Sequence, residues 1–135
     1  MNYFVILAAG KGNRFISNIP KQFTYYNGKQ MIFHSIDKAI QSNLFDKIIL
    51  VINPSHKKYI KNIKNNKLII INGGKERMNS SLKSLNFIKK FKPKKVFIHD
   101  AARPGFSVNL IKKLNASLKK NSCVVPFIKS DNSVK

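Results

Sequence analysis

Short runs of β-branched and aromatic residues alternate along this chain with longer stretches in which apolar residues recur at helical spacing. Residues 3–8, 47–52, 67–71, 95–99 and 123–127 are each apolar nearly throughout and rich in Val and Ile, the pattern of strands covered on both faces. Between them Ile32, Ile36, Ala39 and Ile40 mark one amphipathic helix, and Met78, Leu82, Leu85 and Ile88 mark a second. Val108, Ile111, Leu114 and Leu118 mark a third, with Ser107 placed as its N-cap. The weaker stretch 55–63 predicts a short helix after Pro54. Strand–helix alternation of this kind predicts a Rossmann-like α/β fold, a three-layer αβα sandwich around a mostly parallel sheet. No repeat, linker or second domain interrupts it, so residues 1–135 are expected to form a single domain. The last strand runs into "PFIKSDNSVK" without a closing element, which predicts a domain incomplete at its C-terminal end.

Composition narrows this picture in two ways. A length of 135 residues with 43% hydrophobic content suits one domain with a real core. The apolar stretch at residues 4–9 is far too short to span a bilayer, and no basic n-region or cleavage-like site surrounds it, so neither a signal peptide nor a membrane partner is expected. The lone cysteine, Cys123, excludes an internal disulfide and offers no Cys/His ligand set; it fits a reducing cytoplasm and is expected in the core.

Charge changes the picture less than its size suggests. Asp37, Asp46, Glu76, Asp100 and Asp131 oppose 26 basic residues, for a formal net charge of +21, and such a surface attracts polyanions. The basic residues are nearly all lysines scattered over every segment, as compositional bias toward Lys, Asn and Ile would produce. No aromatic-basic motif or recognition helix stands out. A specific nucleic-acid partner is therefore not expected, although a non-catalytic nucleotide- or nucleic-acid-binding module remains the alternative class.

In an open α/β sheet, ligands bind beyond the carboxyl ends of the strands, and four segments there carry chemistry. In "LAAGKGNRF", Gly10 and Gly12 let the backbone approach a phosphate, and Arg14 adds a forked cationic donor. No Gly-Lys-Ser/Thr follows, and Phe15 occupies the third glycine position of GxGxxG, so both common phosphate-loop signatures are excluded. A tight strand-to-helix turn is the alternative reading. In "IPKQF", Pro20 breaks any helix and Lys21 sits in a stiff, partly apolar frame, although a solvated lysine fits equally. In "NGGKERMNSS", Gly73 and Gly74 end a strand and Glu76, Arg77, Ser80 and Ser81 open a helix, which suits either an anion site or plain capping. In "HDAARP", Asp100 can hold a divalent ion or a hydroxyl, and Ala101 and Ala102 admit a flat group. A local ion pair between Asp100 and Arg103 is the alternative, and His99 is expected to be structural.

Together "LAAGKGNRF", "PKQF", "GGKERMNSS" and "HDAARP" resemble the 2-C-methyl-D-erythritol 4-phosphate cytidylyltransferase family, over nearly the whole chain. The resemblance implies a fold of the nucleotide-diphospho-sugar transferase type and transfer of CMP from CTP to a sugar-alcohol phosphate, methylerythritol phosphate or, in close relatives, ribitol 5-phosphate. It also implies Mg²⁺ as cofactor and a homodimer. By position, Arg14 and Lys21 match the catalytic cations, and Ala8, Ala9, Gly10, Gly12, Gly74, Ser80 and Ala101 match nucleotide-binding positions. Asp100 matches the metal and substrate position, with Arg103 and Ser133 at the acceptor. Two departures stand out. Lys75 replaces a common acid, and "SDNSVK" stands for the family's "TDTVK", placing Asn132 at the usual acid and Lys135 at the lysine. Family members are longer than this chain, and some are fused to a cyclodiphosphate synthase.

Overall fold

A computed structural model describes residues 1–11, 18–60 and 63–129. Its centre is a parallel sheet of four strands in the order β5-β4-β1-β6, formed by β1 (Asn2–Ala8), β4 (Lys47–Ile52), β5 (Leu68–Asn72) and β6 (Lys95–Asp100). β1 pairs with β4 from Tyr3↔Lys47 to Ala8↔Ile52, and with β6 from Asn2↔Lys95 to Leu7↔Asp100. The first four predicted strands are thus present, with boundaries shifted by a residue at most.

Alternation along the two central strands divides the core. Phe4, Ile6 and Ala8 of β1 join Ile48, Leu50 and Ile52 of β4 on one face, under α1 (Met31–Gln41) and α3 (Val108–Ser117). Tyr3, Val5 and Leu7 join Ile49 and Val51 on the other, under α2 (Arg77–Lys89). Ser107 caps α3 as expected, its hydroxyl accepting from the Leu110 N–H at 3.0 Å. The stretch after Pro54 forms a 3-10 helix, Pro54–Ile60. A small hairpin of β2 (Tyr25–Tyr26) and β3 (Lys29–Gln30) precedes α1 and was not predicted. Its turn, Asn27–Gly28, has positive φ at both residues, the conformation that two-residue hairpins favour.

Two expectations are corrected. Most of the apolar stripe assigned to α2 is turned outward: Met78, Leu82 and Leu85 are exposed, and of the stripe only Ile88 is buried, beside Ser80 and Ser84. Small serines allow a close approach to the sheet, and both hydroxyls find local partners, Ser80 Oγ accepting from the Gly74 N–H and Ser84 Oγ donating to the Ser81 carbonyl. Gly73 completes that approach, since a Cβ there would lie 2.3 Å from Ala9 Cβ and 2.9 Å from Ser80 Oγ. The second correction concerns residues 123–127, which are irregular rather than a strand, with Cys123 exposed and Phe127 88% exposed. A strand apolar on both faces needs cover on both, and no described residue beyond it supplies that cover.

His99 is structural, as expected. Its ring packs 4.3 Å from that of Phe106, and Nε2 lies 3.1 Å from Ser35 Oγ. Burial pushes the imidazole down to about 4, with the Arg103 and Lys38 charges pushing the same way and Asp100 opposing them.

Two outcomes follow from this packing. Gly73→Ala should lower the unfolding free energy by about 3 kcal/mol, because the clash is with atoms fixed to the backbone; a chemical denaturation curve reads it. Because the folded state refuses a proton that the unfolded chain accepts near pH 6.5, stability present above that pH should be lost as pH falls from about 6.5 toward 4. The loss is at most roughly 3 kcal/mol. Melting curves recorded with a chelator should show a smaller decline over that window for His99→Gln.

Candidate active site

Where β1 stops, between β4 and β6, the chain opens a cavity of about 640 Å³. Its floor is Leu7, Ala8, Ala9 and Gly10, and its walls are Lys21 and Gln22, the segment 74–77 with Ser80, and Asp100 with Ala102. Four separate segments therefore meet at the C-terminal edge of the sheet. A second cavity, about 710 Å³, lies between β6, α3 and residues 122–128, and its lining is mostly apolar.

The lysine of "IPKQF" is held by its neighbours. Lys21–Phe23 form one 3-10 turn closed by the Phe23 N–H on the Pro20 carbonyl at 2.9 Å. Phe23 is buried in the core and stacks on Tyr59, with ring centroids 5.1 Å apart. Buried Gln22 donates from Nε2 to the carbonyls of Ala8 and Gly10, both at 2.9 Å. This side-chain amide stands in for ladder partners just where the strand ends. Lys21 is left exposed on the cavity wall.

On the opposite wall, a Cβ on Gly74 would lie 2.4 Å from Asn79 Cβ, so the loop can fold onto the first turn of α2 only with glycine there. The Gly74 N–H donates to Ser80 Oγ at 3.0 Å, and the Glu76 N–H to Asn79 Oδ1 at 3.1 Å. The N-terminus of α2, whose dipole and free N–H groups favour anions, opens beside the cavity. Gly10 differs from Gly73 and Gly74, because a Cβ there would meet no atom of the described residues within 4 Å. Packing among the described residues does not demand that glycine.

Asp100 ends β6 with its carboxylate held by two arginines. Arg77 Nε lies 2.8 Å from Oδ1, and Arg103 Nε lies 3.4 Å from Oδ2. The structure thus brings Ala8, Ala9, Gly10, Lys21, Gly74, Ser80 and Asp100 to one cavity. Ala101 lies behind the wall, buried, its N–H on the Leu7 carbonyl at 3.0 Å, and Ala102 faces the cavity in its place. Arg103 borders the second cavity and reaches the site through Asp100. Gly12, Arg14 and Ser133, like Asn132 and Lys135, lie outside the described residues. Sequence reasoning gave no role to Gln22 or to the Arg77–Asp100 contact. The only signals were a polar residue inside a stiff apolar frame and an arginine in the first turn of a helix. Among the described residues no group of three or more His, Cys, Asp or Glu side chains could hold a metal.

Comparison with known proteins agrees with this arrangement. The chain is 49% identical over 132 residues to the bifunctional enzyme IspD/IspF of Pelagibacter ubique, a match covering 98% of this chain and 36% of that protein. It is 34% identical to the 2-C-methyl-D-erythritol 4-phosphate cytidylyltransferase of Thermosipho melanesiensis, covering 99% of this chain and 61% of that one. The structure of the bifunctional IspDF from Campylobacter jejuni superposes with a TM-score of 0.84 at 27% identity, over 99% of this chain and 35% of that one. The chain thus spans between about a third and three fifths of the length of these relatives. The sequence model for 2-C-methyl-D-erythritol 4-phosphate cytidylyltransferase matches residues 3–135, so the segments gathered around the cavity are those of a family, and the chain belongs to it: the 2-C-methyl-D-erythritol 4-phosphate cytidylyltransferases.

Proposed function

We propose that the protein carrying this chain transfers CMP from CTP to 2-C-methyl-D-erythritol 4-phosphate, in the cytoplasm and as a homodimer. The observation that carries the reading is the convergence on one cavity of family segments that follow three different strands, together with the framed Lys21. An oxygen of the acceptor phosphate attacks the α-phosphorus of CTP. The bond from that phosphorus to the bridging oxygen of the β-phosphate breaks, and pyrophosphate leaves with the electron pair. Negative charge grows on the phosphoryl and leaving oxygens, so positioned cations are what catalysis requires.

Lys21, whose backbone is fixed by Gln22 and Phe23, supplies one such cation at the cavity wall. Arg14 supplies another in this reading. Gly10 leaves room for a phosphate against the backbone, and the N-terminal turn of α2 adds N–H donors beside it. Ala8, Ala9, Gly74 and Ser80 form the nucleotide walls, while Asp100, Arg103 and Ser133 meet the acceptor. Among the described residues, Glu76 and Asp100 are the carboxylates on the cavity. That donor set fits Mg²⁺, which takes one or two protein carboxylates and completes its shell with waters and substrate phosphates. Both oxygens of Asp100 are engaged by arginines while the Glu76 side chain is exposed, so Mg²⁺ would rest chiefly on Glu76, offset charge on the triphosphate and leave Asp100 to the acceptor.

Purified full-length protein given CTP, Mg²⁺ and methylerythritol phosphate should release pyrophosphate; release only with ribitol 5-phosphate would overturn the acceptor assignment. Lys21→Ala should lower kcat by about 10²–10³-fold while CTP affinity changes only several-fold. Equal losses in both would remove Lys21 from the transition state. Gly10→Ala should leave the melting temperature unchanged and weaken CTP binding by about tenfold, read by calorimetry.

A further inference from the structure

The carboxylate of Asp100 has a neighbour on each side, and the two neighbours differ in origin. Arg103 is local: it belongs to the turn that follows β6, where its N–H bonds the Asp100 carbonyl at 3.1 Å. Arg77 comes from the first residue of α2, after β5. With strand order β5-β4-β1-β6, the Arg77–Asp100 contact joins the two outer strands' C-terminal ends across those of β4 and β1.

Stability is a poor reason for such a contact. The Arg77 side chain is 64% exposed and that of Asp100 25% exposed, and pairs this open contribute about 0–1 kcal/mol. Orientation is the better reason. Arg77 Nε holds Oδ1 while Arg103 holds Oδ2, so the carboxylate plane is fixed from both sides. Lys21 and Lys75 line the same cavity, and an ammonium group there is drawn to any carboxylate that is not already engaged.

We infer that Arg77 is a positioning residue of the transfer reaction, acting through Asp100: it keeps the carboxylate turned to the acceptor side and leaves Lys21 to the phosphates. This rests on the cytidylyltransferase reading of the cavity. The loss on removing Arg77 then passes through Asp100 and falls on use of the acceptor, not on CTP.

A double-mutant cycle in the full-length protein tests it, with Arg77→Ala, Arg77→Lys, Asp100→Asn and the Arg77→Ala/Asp100→Asn pair, reading kcat, both KM values and melting temperature. Arg77→Ala should lower kcat/KM for the acceptor by roughly 10–100-fold with KM for CTP within about threefold, and Arg77→Lys should recover part of the loss. The pair should be no worse than Asp100→Asn alone, and melting temperature should shift by no more than about 2 °C. Additive losses, an equal rise in KM for CTP, or a loss that tracks melting temperature would overturn the coupling. If the unaltered protein releases no pyrophosphate, the functional reading fails and this inference fails with it; turnover with additive losses removes the inference alone.

Discussion

β1 is apolar on both faces and flanked on both edges, and the rest of the structure is arranged around that constraint. Tyr3, Phe4, Val5 and Ile6 are each no more than 3% exposed, which is possible only with helices on both sides of the sheet and strands on both edges. Chain after chain of backbone groups is satisfied by β4 and β6 until Ala8. Beyond that residue the neighbouring strands give way to loops, and the central position of β1 places its last residues at the middle of the sheet's C-terminal edge. The cavity is the space left there.

Keeping that space open depends on polar groups that do not belong to the sheet. Gln22 satisfies the carbonyls of Ala8 and Gly10 past the end of the ladder, so the end of β1 is pinned by a side chain where strand pairing stops. On the far wall the close fit of Gly73 against Ala9, and of Gly74 against Asn79, sets the height of the α2 N-terminus above the floor. The wall of α2 is built from serines because larger side chains would lift the helix from β1. These contacts link packing directly to the cavity: the residues that hold its floor and the helix in place are adjacent in sequence to those that line it.

Much of this was legible in the sequence. Runs apolar on both faces identified β1, β4, β5 and β6, because a covered parallel strand has no polar face to hide, and the Ser107 cap was readable from its position before Val108. The stripe on α2 misled, since periodicity reports which residues share a face but not whether that face is inward; the inward choice was made by Gly73 and the serines. Residues 123–127 misled for a related reason, as β propensity cannot supply a pairing partner. In the site, glycines, Lys21 and Asp100 could be recognised from segments that follow strands. Gln22 and the Arg77–Asp100 contact could not, because both join residues distant in sequence, and only the strand order brings β5 and β6 into a common edge.

The central claim is that the cavity at the end of β1 receives CTP. Amide chemical-shift mapping of the isotopically labelled protein during titration with CTP and Mg²⁺ tests it most directly. Shifts should concentrate at Ala8–Gly10, Lys21–Gln22, Gly74–Arg77 and Asp100–Ala102, with little change along α3 and residues 122–128. Saturable shifts confined to the α3 cavity, or none at millimolar CTP, would contradict the account.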